Sequence, residues 1–152
     1  GLDSFLAVII NNDNHIKQGK ACAASADGRR DRAPMSNGNN PTAGNDRNGA
    51  TAFLNSLAKL RTDHHAGSVQ NMKFSRELFS SNRDLLRAML RVYFSNGGSQ
   101  AMLTIVGRDD LERAMEHPQE YQNLIVRVGG YSEYFVRLPR EIQEDVLART
   151  LN

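Results

Sequence analysis

Asn123-Leu-Ile-Val-Arg-Val-Gly-Gly-Tyr-Ser-Glu-Tyr-Phe135 is a β-branched run that stops on two consecutive glycines. Leu124 to Val128 has the composition of a strand, because branched side chains pack well on a pleated surface, and Gly129-Gly130 ends it. A double glycine after a strand is, on those residues alone, a turn. Pro139 follows with its φ already set for a first helical turn, and a final helix is expected from there through Arg149.

Working outward, Asp109 to Glu116 reads as a helix, with acids in its first turn and Pro118 past its end. The apolar stretch Gln100 to Val106 before it reads as a strand. Asn82 to Phe94 is the clearest amphipathic helix: Leu85, Leu86, Met89, Leu90 and Tyr93 or Phe94 recur at three and four, and Gly97-Gly98 ends it. That stripe is assigned to the core. Thr51 to Leu60 predicts a short helix with Leu54, Leu57, Ala58 and Leu60 on one side, and Val69 to Phe74 alternates like a strand. Asn11 to Asn48 is rich in turn signals such as Asp27-Gly28-Arg29-Arg30 and Pro41-Thr42-Ala43-Gly44. It reads as a long functional loop, as loops around small elements, or as a linker. Ser4 to Ile10 is read as a strand. Strands alternating with helices place the chain in the α/β class.

With 152 residues the chain is one domain, or part of one. Its 39% hydrophobic content is slightly thin, which suits a chain that finishes folding against a partner. A net charge of +2 is too small a surplus to argue for nucleic acid or an anionic membrane. No apolar run reaches the length of a membrane span, and Phe5 to Ile10 is too short for a signal peptide, so a cytoplasmic location is expected. The single cysteine, Cys22, excludes an internal disulfide framework.

Arg127-Val128-Gly129-Gly130-Tyr131 resembles the C-terminal signature of glycyl radical enzymes, the pyruvate formate-lyase-like superfamily, in which an Arg-Val-x-Gly-Tyr loop carries a radical on the glycine before the tyrosine. That glycine corresponds to Gly130. Asp27-Gly28-Arg29, Asn48-Gly49, Thr51-Ala52, Leu54-Asn55-Ser56, Lys59-Leu60 and Asn71-Met72-Lys73-Phe74 also look like landmarks of the family and fall in its order, so the resemblance covers nearly the whole chain. It implies the C-terminal part of a glycyl radical enzyme α/β barrel, completed by a larger partner subunit. Residues 1–75 would supply barrel-derived strands, a helix and long loops. Residues 76–152 would form the glycine radical domain. Gln100 to Val106 stands where the family has a His-x-x-x-Asn-Val-Val strand; Gln100 and Thr104 depart from it, so no substrate is carried over.

A backbone α-carbon radical is stabilised by delocalisation between the flanking amide nitrogen and carbonyl, which requires planarity. Glycine suits this because no Cβ clashes with a flattened geometry, and it has two hydrogens, one of which can be removed and restored. In the family the stored radical generates a thiyl radical on a cysteine of a separate upstream loop, next to an acid. Cys22, in Lys20-Ala-Cys-Ala-Ala-Ser25, lacks that context and is read as incidental. The resemblance therefore implies a large catalytic subunit carrying the thiyl cysteine, with this chain beginning about where the last quarter of a full-length enzyme would begin. A radical S-adenosylmethionine activating enzyme with an iron-sulfur cluster would install the radical, for which the glycine loop has to leave the barrel and return. No bound cofactor is expected on this chain.

The expected function is thus the radical-bearing small subunit of a split, anaerobic and oxygen-sensitive lyase, dehydratase or decarboxylase, inactive alone. The alternatives are a spare part that repairs an oxygen-cleaved enzyme, and a radical-free homologue. Arg127 and Tyr131 either position and cover the loop or form a solvated strand face. His64-His65, with His15 and His117 scattered, shows no metal-ligand spacing, and Asp109-Asp110 with Glu112 belongs to a helix start. Asn37 to Gly49 lacks the lysine and spacing of a phosphate loop. Arg29, Arg30, Arg32 and Arg47 either line an anionic groove or meet solvent or a partner.

Overall fold

A computed structural model describes residues 13–62 and 69–149. Its elements are α1 (Asn14–Ala21), α2 (Gly49–Leu57), β1 (Asn71–Phe74), α3 (Arg76–Ser81), α4 (Arg83–Ser95), β2 (Met102–Ile105), α5 (Arg108–Glu116), β3 (Ile125–Arg127), β4 (Ser132–Tyr134) and α6 (Arg140–Ala148). Single 3₁₀ turns at Pro118–Tyr121 and Phe135–Arg137 connect the last of these. Among the described residues no helix is long and apolar enough to cross a membrane.

β1 and β2 pair in parallel, Asn71 opposite Met102 and Phe74 opposite Ile105. Parallel neighbours need a crossover, and α3 with α4 supplies it. β3 and β4 form an antiparallel hairpin with Ile125 opposite Tyr134 and Arg127 opposite Ser132. The hairpin leans on the edge of β2, where the Arg127 N–H donates to Thr104 Oγ1 at 3.1 Å. One apolar cluster joins α2, β1 and α4 through Phe53, Leu54, Leu57, Met72, Phe74, Leu86 and Tyr93. A second packs α5, the hairpin and α6 through Val106, Leu111, Ala114, Val126, Val128, Phe135, Ile142 and Val146.

The α/β class holds as a mixture of helices and short strands, and several local expectations are corrected. The turn-rich region 11–48 follows the alternative of loops around a small element: it contains α1, which a pattern of Gly and Lys hides but which buries His15, Ile16 and Gly19. β1 does not alternate; all of Asn71-Met72-Lys73-Phe74 is buried. Its polar members find internal partners: the Asn40 side chain donates to the Asn71 carbonyl at 2.6 Å and accepts the Asn71 N–H at 3.0 Å, standing in for a neighbouring strand. α3 was not signalled by periodicity, yet Ser75 caps it by accepting the Leu78 N–H. Of the predicted α4 stripe, Leu86 and Tyr93 are buried, whereas Leu85 is 62% and Phe94 47% exposed. On α2, Phe53 joins Leu54 and Leu57 in the core while Leu60, past its end, is exposed. The strand expected at 4–10 and the His64-His65 pair lie outside the described residues.

Candidate functional site

The β3–β4 hairpin closes with the Val128 N–H donating to the Tyr131 carbonyl at 3.0 Å, which leaves Gly129 and Gly130 as the turn. Gly129 is buried and Gly130 exposed. Gly130 has φ 106°, on the side of conformational space where an L residue's Cβ meets its own backbone. The turn therefore needs glycine here for a steric reason, independent of chemistry.

Three supports fix the strands that carry this turn. Toward β2, the Arg127 side chain donates to Ser132 Oγ across the hairpin at 3.0 Å and to Met102 Sδ at 3.2 Å, beside its backbone bond to Thr104. At the far end the Phe135 N–H donates to the Leu124 carbonyl at 2.7 Å, and Phe135 is wholly buried. From α6, Gln143 Nε2 donates to the Phe135 carbonyl at 2.9 Å. Arg149, just past the end of that helix, donates to the carbonyls of Arg127 at 2.8 Å and Val128 at 2.7 Å. The Arg149 guanidinium also binds Asp145 Oδ2 at 2.9 Å, and Asp145 Oδ1 lies 2.8 Å from His15 Nε2. Burial pushes the Asp145 carboxyl up, but the His15 hydrogen bond and the Arg149 charge outweigh it and hold it below the ordinary value.

Lys73 backs the same helix. Its Nζ donates to the carbonyls of Leu147 at 3.1 Å and Val146 at 3.5 Å, two of the terminal carbonyls that α6 cannot satisfy itself. Burial lowers its pKa to about 8, with Arg108 and Arg149 pushing the same way and Glu112 opposing.

The two residues that depart from the family strand have structural work. Gln100 Oε1 accepts the Gln70 N–H at 2.8 Å, and Thr104 receives the hairpin. Arg127 is a strut between strands, and Tyr131 packs on the second apolar cluster from a half-buried position. Arg29 and Arg47 bond carbonyls of their own loops. Cys22 terminates α1, half-buried. Among the described residues no cluster of His, Cys, Asp and Glu could hold a metal. Sequence reading found the turn and missed His15, Lys73, Gln143, Asp145 and Arg149 around it. The one signal for Arg149 was a cation at a helix end, which is common and unspecific.

A family model described as glycine radical matches residues 35–136, so the turn lies inside the matched segment. The trans-4-hydroxy-L-proline dehydratase of Clostridioides difficile is 34% identical over 138 residues, 90% of this chain. The B12-independent glycerol dehydratase of Clostridium butyricum, solved with glycerol bound, has a TM-score of 0.89 at 32% identity over 96% of this chain. The hydroxyproline dehydratase of C. difficile, solved with trans-4-hydroxy-L-proline, has a TM-score of 0.88 at 31% identity over 100% of it. This chain spans only 18% or 19% of the length of these relatives. Sequence and fold agree over most of its length: the chain belongs to the glycyl radical enzyme family.

Proposed function

We propose that Gly130 stores the radical of a glycyl radical enzyme and that this chain works as the small subunit beside a larger one. The observation that carries the reading is the exposed glycine at φ 106° in an Arg-Val-Gly-Gly-Tyr turn within the family-matched segment. An activating enzyme of the radical S-adenosylmethionine type removes one α-hydrogen atom from Gly130 and leaves the carbon radical. The Gly130 radical then takes the hydrogen atom of a cysteine thiol, which restores the glycine and leaves a thiyl radical to attack substrate. Glycine's second hydrogen and missing Cβ serve both steps.

The cysteine is assigned to the large subunit. Cys22, the only cysteine of the sequence, sits at the end of α1 among small residues with no acid next to it. The large subunit also supplies most of the α/β barrel, to which the parallel β1–β2 pair contributes; residues 1–75 serve as barrel-derived support and 76–152 as the radical domain. Exposed apolar side chains on α4, Leu85 and Val92 on one side and Phe94 on the other, support a packed partner. The relatives named above are dehydratases, and a radical elimination of water is the first reaction to assay.

The test is electron paramagnetic resonance after anaerobic incubation with activating enzyme, S-adenosylmethionine, a reductant and the cysteine-bearing chain. A doublet split by the remaining α-hydrogen, absent in Gly130→Ala, is expected. Absence of any such doublet with a competent activating enzyme overturns the assignment.

A further inference from the structure

We infer that Arg149 is a positioning residue that latches the glycine hairpin onto α6, with Asp145 and His15 holding the latch in place. The guanidinium spans two successive carbonyls, those of Arg127 and Val128, which are the last before Gly129-Gly130. A planar fork with several fixed donors makes this grip; a lysine ammonium is a point donor with no such spread. Asp145, one helical turn earlier, binds the same guanidinium and is itself bound by His15 from α1, 130 positions away in sequence. The group is shielded, since the side chains of His15, Asp145 and Arg149 are 8%, 15% and 12% exposed. Arg149 Nε is buried with no hydrogen-bond partner, so this residue is held inside at a solvation cost for the sake of its other bonds.

The placement is asymmetric in a way that suits a release point. Gln143 grips the hairpin beyond β4 at Phe135, whose ring is in the core, so that end is anchored by packing. The turn end is held to α6 by Arg149 alone among the bonds described for that helix. Losing those two bonds leaves the tip held by Val128 in the apolar cluster and by Arg127 on β2, so the tip loosens while the Phe135 end, which keeps its bond to Gln143, stays seated. Arg149 then governs how often Gly130 lifts away, the motion that radical installation requires. This consequence rests on the reading of Gly130 as the radical site; the latch itself does not.

Hydrogen–deuterium exchange of the full chain tests it without any radical. In Arg149→Ala, amides of 127–132 are expected to exchange at least tenfold faster than in the parent, while the Phe135 amide and amides of 71–74 and 102–106 keep their rates. Arg149→Lys should fall between the two, and Asp145→Asn should accelerate the hairpin by a few-fold. Unchanged hairpin exchange in Arg149→Ala overturns the latch, and so does an equal acceleration in the β1–β2 pair, which marks general destabilisation. Should Arg149→Ala fail to fold, Arg149→Lys decides by the same criteria, selective acceleration supporting the latch and parental rates overturning it. A missing paramagnetic signal with a positive exchange result removes the radical assignment and keeps the latch; the reverse pair of results does the opposite.

Discussion

Lys73 is 2% exposed, and its burial together with the Arg108 and Arg149 charges disfavours its protonated form in the folded chain. With a folded pKa of about 8 against an ordinary 10.5, the unfolded chain binds more protons between those values. Stability from this residue therefore rises as pH climbs from about 8 to 10.5, by an upper limit of roughly 3 kcal/mol. Denaturant midpoints of parent and Lys73→Met at pH 7.5 and 10 check this: the parent should gain on the variant at the higher pH. Asp145, whose pKa is lowered as well, has the same sense in an acidic window. Its carboxyl is held below 3.8, so its contribution is complete above that pH and is lost as acid reaches the lower folded value. Thr104 offers a simpler case, because Thr104→Val keeps the shape and strands the Arg127 N–H. A loss of about 1–3 kcal/mol is expected in the denaturant midpoint.

At the scale of elements, the short helices depend on their ends. α3 has 6 residues, no buried side chain and one cap, the Ser75 hydroxyl 3.1 Å from the Leu78 N–H. Ser75→Ala should cost about 1 kcal/mol and be visible as faster amide exchange over 76–81. α4 ends on Gly97, at φ 102°, and Gly98 beyond it lies against the Tyr93 ring, where an added Cβ would stand 2.4 Å away. That ring is buried and its hydroxyl donates to the Gln100 carbonyl at 3.0 Å, so it has nowhere to move. Gly98→Ala is expected to destabilise by about 1–3 kcal/mol in thermal unfolding. The α4 stripe was legible in sequence as amphipathic, but a period says only which residues share a face. Whether that face is covered depends on what lies opposite, and here Leu85 and Phe94 meet solvent. α1 was not placed individually for a related reason: its apolar content is Ile16 and an exposed terminal Ala21, and the rest of its burial comes from His15 and Gly19.

Over the whole molecule, β1 and β2 pair across position 75, and Lys73 of β1 closes the end of α6. A fragment beginning at residue 76 loses both, although the cluster from Val106 to Val146 is wholly within it. Such a fragment should unfold at lower temperature by circular dichroism, with the loss concentrated in β2 and α6. An unfolding temperature equal to that of the full chain would show the hairpin region to be independent of β1. The sequence alone determined the α/β class, the strand that meets Gly129-Gly130, the helix after Pro139 and the family likeness, because these depend on residues adjacent in the chain and on glycine and proline sterics. The grip of Arg149, the burial of Lys73 and the tasks of Gln100 and Thr104 were decided only by the tertiary structure. Their partners stand 21 to 74 positions away. A long polar side chain has many possible partners, and only packing selects among them.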